Sequence, residues 1–141
     1  MPLHFQIITP MRTALQAAVS SIQLPAVEGE MEILPGHADL IAAVANGELT
    51  YRPEGGSPQS LFVGGGFLQV DKENVLLVTD TALQAGEINA SAVQEAIERA
   101  QTALRNSDSV LSREEQTYLA AQLAKQMAML EYSRKKKGNR V

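Results

Sequence analysis

Several groups of side chains in this 141-residue chain have the types and spacing that chemistry uses. Glu28, Glu30 and Glu32 stand two apart, so on a strand their carboxylates would share one face, opposite Met31 and Ile33. Such a set could do general acid and base work, and the same spacing also makes a solvated acidic face or a polar interface. His37 follows Leu34-Pro35-Gly36, a turn sequence that puts its imidazole on a loop, as a hydrogen bonder within the turn or as an interface contact. His4 is the only other histidine and there is no cysteine, so zinc, thiolate and iron–sulfur chemistry lack their ligands. No serine sits in a nucleophile-elbow context, which leaves a Ser-His-Asp triad without its frame. Gly64-Gly65-Gly66 could cradle a phosphate, but no Gly-Lys-Ser/Thr follows and no helix opens there. The glycines therefore read as a place where a strand bends or another backbone comes close. Arg134-Lys135-Lys136-Lys137 complements the negative end of a helix and could meet an acidic protein surface, nucleic acid or anionic lipid. With acidic residues in excess over the whole chain and only 4% aromatic residues to stack on bases, nucleic acid is not expected as a partner.

The elements that must hold these groups change character along the chain. Up to residue 86, apolar residues alternate in short runs broken by Gly, Pro, Asn and Asp, which predicts strands. Leu15, Ala17 and Val19 share one parity, while Ile22 and Leu24 carry the other, so a β-bulge near Ser20-Ser21 is expected to absorb the shift. Met31 and Ile33 alternate with glutamates, Leu49 and Tyr51 with polar residues, and Leu61-Phe62-Val63 leads to Leu68 and Val70. The run Val75 to Val78 suits a strand covered on both faces. The pattern predicts a sandwich or flattened barrel.

Helical periodicity begins near Ser91, placed to cap a helix whose stripe is Val93, Ala96, Ile97, Ala100 and Leu104. Asn106-Ser107-Asp108-Ser109 ends it, and Ser112-Arg113-Glu114-Glu115 has capping-box spacing for a second helix. Leu119, Leu123, Met127 and Leu130, with many alanines, form the narrow stripe of an antiparallel hairpin. The expected domains are therefore 1–86, all-β, and 87–141, a two-helix unit.

Composition sets the outer limits. Hydrophobic residues make up 45% and charged residues 20%, which suits a folded chain of this length. Three basic residues face nine acidic ones through Gly86, a net of −6, whereas the remainder carries +2, five of its positives lying between Arg134 and Arg140. That asymmetry suggests two modules with different partners. The longest apolar run, Leu40 to Ala45, is far short of the roughly 20 residues of a spanning helix. The N-terminus lacks signal-peptide features, and the absence of cysteine fits a reducing compartment.

The segment from Val27 through Pro35-Gly36-His37-Ala38-Asp39-Leu40, followed by Asn46-Gly47, resembles the signature loop of the epsilon subunits of F-type ATP synthases. Phe62-Val63-Gly64-Gly65-Gly66-Phe67-Leu68-Gln69-Val70, with Val78-Thr79-Asp80-Thr81-Ala82, resembles the second signature of that family, and Ile8-Thr9-Pro10 its first strand and turn. The resemblance covers essentially the whole chain. It implies an all-β sandwich of about ten strands followed by a C-terminal helical hairpin. It further implies a non-catalytic rotor subunit of the central stalk, with no cofactor or metal of its own. The β domain would bind the gamma subunit and the ring of c subunits, with Glu30, Met31 and Glu32 toward the c-ring and His37 at gamma. The helices would regulate ATP hydrolysis, with Arg134, Lys135, Lys136 and Lys137 meeting the catalytic subunits, alpha and beta. Membrane association would come only through the complex, on the cytoplasmic face of a bacterial inner membrane or the stromal face of a thylakoid.

Two departures stand out. Family members usually carry glycine where this chain has Glu32. Some bacterial members bind ATP through an Ile/Leu-Asp-x-x-Arg-Ala segment, and here Ile88-Asn89-Ala90-Ser91-Ala92-Val93 lacks both the acid and the arginine, so weak or no ATP binding is expected. Two other classes stay open on the residues alone. One is a small hydrolase or isomerase using Glu30, Glu32 and His37; the other is a stand-alone adaptor with a membrane-surface tail.

Overall fold

Alternation of apolar and polar residues pairs the first part of the chain into seven strands in the computed structural model, which describes residues 2–106 and 111–138. They are β1 (Leu3–Ile8), β2 (Thr13–Ala26), β3 (Gly29–Ile33), β4 (Leu40–Pro53), β5 (Gln59–Asp71), β6 (Asn74–Val78) and β7 (Ala82–Leu83). A single 3-10 turn at Ala85–Glu87 leads to α1 (Ala90–Arg105) and then α2 (Arg113–Gly138). Two compact units result, Met1–Gln84 and Ala85–Val141.

The strand order is β1-β6-β5-β4-β2-β3, and β1 also pairs with β2, so five of the strands close into a ring. Seven continuous strands stand where about ten were expected, because β2, β4 and β5 are 13 or 14 residues long and each serves as two short strands would. One edge of β2 carries β1 along its first half and β3 along its second. β5 likewise pairs with β7 near its start and β6 near its end. The expected bulge is present: the β2–β4 register slips between Val19 and Ser21, which lets Val19 and Ile22 both point inward.

β4 and β5 keep one register from Leu40↔Val70 to Tyr51↔Gln59, yet the inward parity changes from Val44 and Leu68 to Leu49 and Leu61. The pair therefore rolls over as a unit, and the roll falls where Gly65 (φ 83°) and Gly66 (φ 137°) adopt backbone conformations that side chains disfavour. At Gly66 a Cβ would overlap the Val78 carbonyl oxygen, so the glycine run serves the close approach of two backbones. The core inside the ring includes Leu3, Phe5, Ile7, Val63, Leu68 and Leu77, all buried, with the Tyr51 ring edge-on to Phe5 at 6.3 Å. β6 is not covered on both faces: Val75 and Leu77 are buried, while Leu76 is half-buried and Val78 exposed, the ordinary alternation of a strand on a one-sided core.

In the second unit α1 and α2 form a hairpin and pack on each other. Asn89, not Ser91, caps α1: it holds an extended backbone (φ −88°, ψ 98°) and its Oδ1 accepts from the Ala92 N–H at 3.1 Å. Asparagine ranks with serine as a cap, so the earlier residue with the right backbone takes the position. Ser112 does cap α2, its Oγ accepting from the Glu115 N–H at 3.1 Å. Val93 and Ile97 are the buried residues of α1. On α2 Leu130 is buried, Leu119 and Leu123 are half-buried, and Met127 is exposed. Met127 falls at the margin of the stripe, and toward the C-terminal end burial passes instead to Met129, Tyr132 and Ser133. Residues 107–109 of the predicted break lie outside the described residues.

Candidate functional site

The acidic edge is built by a hairpin. β2 and β3 close at Ala26↔Gly29 around the two-residue loop Val27-Glu28, so Glu28 lies in the turn and not on the strand with the other two glutamates. Glu30 and Glu32 are exposed on β3, which pairs on one side only, with β2. Charged residues on a short edge strand discourage further strand pairing and leave the carboxylates available to a partner. Met31 points to the opposite face, half-buried against the core, and lines a surface groove of about 350 Å³ with Val27 and Ile41.

His37 sits at the end of a tight turn. Its N–H donates to the Leu34 carbonyl at 3.0 Å, with Pro35 second and Gly36 third at φ 88°, the geometry of a type II turn. The half-buried imidazole places Nδ1 2.8 Å from the Ala38 carbonyl oxygen. The loop is tied further along, where the Asp39 carboxylate accepts from the Lys72 N–H at 2.8 Å. Nothing brings His37 and the glutamates into one pocket: Glu30 pairs with Pro25 inside the β2–β3 hairpin, and the imidazole is occupied within its own turn. Among the described residues no group of three or more His, Asp or Glu side chains could hold a metal ion.

One surface escaped the residue-type reading. Ala43, Phe67 and Val78 stand opposite one another across β4, β5 and β6, and Ile8 lies opposite Val78 on β1. Phe67 is 64% exposed and Val78 49%, and Ile41, one outward position along β4 from Ala43, is 74% exposed. Together they form an apolar strip across the outside of the ring, the kind of patch that marks an interaction surface. The signal was present in the sequence as the parity of Phe67, which is opposite to that of Leu68 and Val70.

The basic residues end α2. Arg134 and Lys135 are exposed, and Lys136 places its ammonium 5.7 Å from the centre of the buried Tyr132 ring, one helical turn earlier. The helix continues through Lys137 to Gly138, and Arg140 lies outside the described residues. No helix among the described residues is long and apolar enough to cross a membrane.

The chain thus presents a β ring with an exposed apolar strip, an acidic edge and an imidazole on a turn, followed by a helical hairpin. The family model of the ATP synthase delta/epsilon chain β-sandwich domain matches residues 2–85, and the chain belongs to that family. It is similar to the ATP synthase epsilon chain of Moorella thermoacetica, 37% identical over 103 residues that span 73% of this chain and 77% of the other. It is also similar to the epsilon chain of Alkalilimnicola ehrlichii, 32% identical over 129 residues, 92% of this chain and 90% of that one. The fold matches a chain of the Euglena gracilis mitochondrial ATP synthase with a TM-score of 0.76 at 24% identity, covering 91% of this chain and 79% of that chain. A chain of the Tetrahymena thermophila central stalk and c-ring assembly matches with a TM-score of 0.64 at 12% identity, covering 94% and 97% respectively. The relatives are named as one chain of a larger enzyme, not as enzymes in their own right.

Proposed function

We propose that this chain is the rotor subunit that joins the c-ring of an F-type ATP synthase to its gamma shaft. The observation that carries the reading is the exposed strip of Ile41, Phe67 and Val78 on a β unit of this family. An apolar surface of this kind suits the buried anchors of a permanent interface, and gamma is the occupant the resemblance implies. His37 stands on the loop that leads directly into Ile41, a position that supports a role for it at the same contact. Glu30 and Glu32, with Met31 behind them, form the second contact, toward the polar loops of the c-ring. An exposed ion pair contributes only about 0–1 kcal/mol, so torque transmission rests on the apolar strip and on many polar contacts together. Energy coupling would run through these two contacts on the cytoplasmic face of a bacterial inner membrane.

The helical hairpin serves as the regulatory unit. Its basic end, Arg134 to Lys137, meets an acidic segment of the catalytic alpha and beta subunits and holds back ATP hydrolysis. ATP itself is bound weakly or not at all, since the acid and arginine are missing around Asn89, whose side chain is engaged in capping α1. Calorimetry that gave micromolar ATP affinity would refute this.

Co-purification tests the central reading. The wild-type chain, co-expressed with the gamma subunit, is expected to be recovered as a complex, and Phe67→Asp and Ile41→Asp are expected to abolish it while leaving far-ultraviolet circular dichroism unchanged. Recovery of gamma by both variants at wild-type yield would remove the strip from the interface. Deleting residues 107–141 should raise ATP hydrolysis by the assembled complex; an unchanged rate would remove the inhibitory role.

A further inference from the structure

The loop that carries His37 is fastened at a point that its own turn does not explain. β5 and β6 are joined by Lys72 and Glu73, closed by Asp71↔Asn74. Lys72 takes the left-handed conformation (φ 58°), the only described non-glycine residue to do so, at a position where glycine is favoured. Its N–H points away from the ladder and would otherwise face water. The Asp39 carboxylate takes that hydrogen at 2.8 Å, across 33 residues of sequence. The other turn group is also held from outside, since the Glu73 carbonyl accepts from the His4 N–H at 2.7 Å. The β5–β6 turn is thus clamped on one side by β1 and on the other by the Pro-Gly-His loop.

We infer that Asp39 is a positioning residue: by hydrogen bonding the Lys72 amide, it locks the Leu34–Asp39 loop to the β5–β6 turn and presents His37 to the gamma subunit in one orientation. The loop then has three fixed points. Ile33 is paired to Ile22 before it, the type II turn fixes its middle, and Asp39 anchors its end, next to the Leu40↔Val70 pair. Without the last anchor, Ala38 and Asp39 regain backbone freedom, and the imidazole, which leans on the Ala38 carbonyl, moves with them. A partner that reads the imidazole would then meet several loop conformations and bind only the fraction that is competent. This inference rests on the reading that His37 contacts gamma.

The test compares the full-length wild type with Asp39→Ala, Asp39→Asn, His37→Ala and the Asp39→Ala/His37→Ala double variant. Two readouts are used: amide hydrogen exchange at Lys72 by nuclear magnetic resonance, and affinity for the gamma subunit. Asp39→Ala should accelerate Lys72 exchange about tenfold or more and weaken gamma binding about fivefold, from loss of one charge-assisted bond and of loop order. Asp39→Asn keeps an oxygen acceptor and should restore both. His37→Ala should matter much less in the Asp39→Ala background than in the wild type, the coupling expected when one residue acts through the other. Unchanged Lys72 exchange in Asp39→Ala, or fully additive losses in the double variant, would overturn the positioning role while leaving the His37 contact intact. A His37→Ala variant that bound gamma like the wild type would overturn the contact and the positioning role together.

Discussion

Gly66 lies beneath Val78 so closely that a β-carbon on it would overlap the Val78 carbonyl oxygen. The approach brings β5 against the end of β6 close to where the β4–β5 pair rolls over. Gly66→Ala should lower the unfolding free energy by at least about 2 kcal/mol, because both the contact and the backbone angle of 137° resist a side chain. Urea unfolding measures it, with Gly86→Ala as a control whose added carbon meets open space and should change stability by less than about 0.5 kcal/mol. Equal stabilities of the two variants would show that the ring tolerates a wider seam.

Asn89 takes the capping position that the sequence suggests for Ser91. Asn89→Ala should cost about 1 kcal/mol of stability in the helical unit, the usual value of a lost cap. Ser91→Ala, inside α1 and exposed, should be neutral or slightly stabilising, since alanine has the better helix propensity. Thermal unfolding followed at the helix band separates them, and a larger loss from Ser91→Ala would contradict the cap geometry.

Tyr51 gives the β unit an alkaline limit. Burial raises its phenol above the ordinary value of 10.0, so on raising the pH the unfolded chain loses that proton first. Stability from this group is complete below pH 10 and falls as the pH climbs from there toward the raised folded value. Tyr51→Phe should flatten that decline above pH 10 in denaturant titrations and leave neutral stability nearly unchanged. A decline of the same slope in the variant would assign it to other groups.

Arg134 and Lys135 are exposed near the basic end of α2. Arg134→Glu/Lys135→Glu should raise ATP hydrolysis by the reconstituted enzyme severalfold at low salt, and the difference from wild type should shrink in about 0.5 M salt, where screening lengths are only a few ångströms. Hydrolysis equal to the wild type at low salt would separate inhibition from charge.

Much of this arrangement could be read from residue spacing, and the exceptions have physical causes. The bulge at Ser20-Ser21 was legible because a parity change between Val19 and Ile22 has few other solutions. The glycine run was legible as a close approach because the phosphate-binding alternative needs a lysine and a helix that are missing. The helical hairpin followed from period and from Ser112. The α1 cap was misplaced by two residues because Asn and Ser compete nearly equally for that position. Strand number was not legible, since a long strand that serves two neighbours has the same alternation as two short ones. The apolar strip was hidden for a similar reason: Phe67, Val78 and Ile41 sit in runs that look like core, and only the pairing reveals which parity faces out. The acidic edge and His37 were found by residue type, yet the lock at Asp39 depends on a turn 33 residues away, and no local pattern announces it.

The ring closes through its first strand, and this orders events during synthesis. β1 is made first and can lie against β2 as soon as that strand appears, through Leu3↔Val19 and its neighbours. Its other edge must wait for β6, where Phe5 meets Val75, so closure is delayed until nearly the whole β unit has left the ribosome. During that interval Leu3, Phe5 and Ile7, buried at the end, line an open seam. A newly made chain is therefore most exposed to aggregation and to capture by chaperones just before its sixth strand arrives.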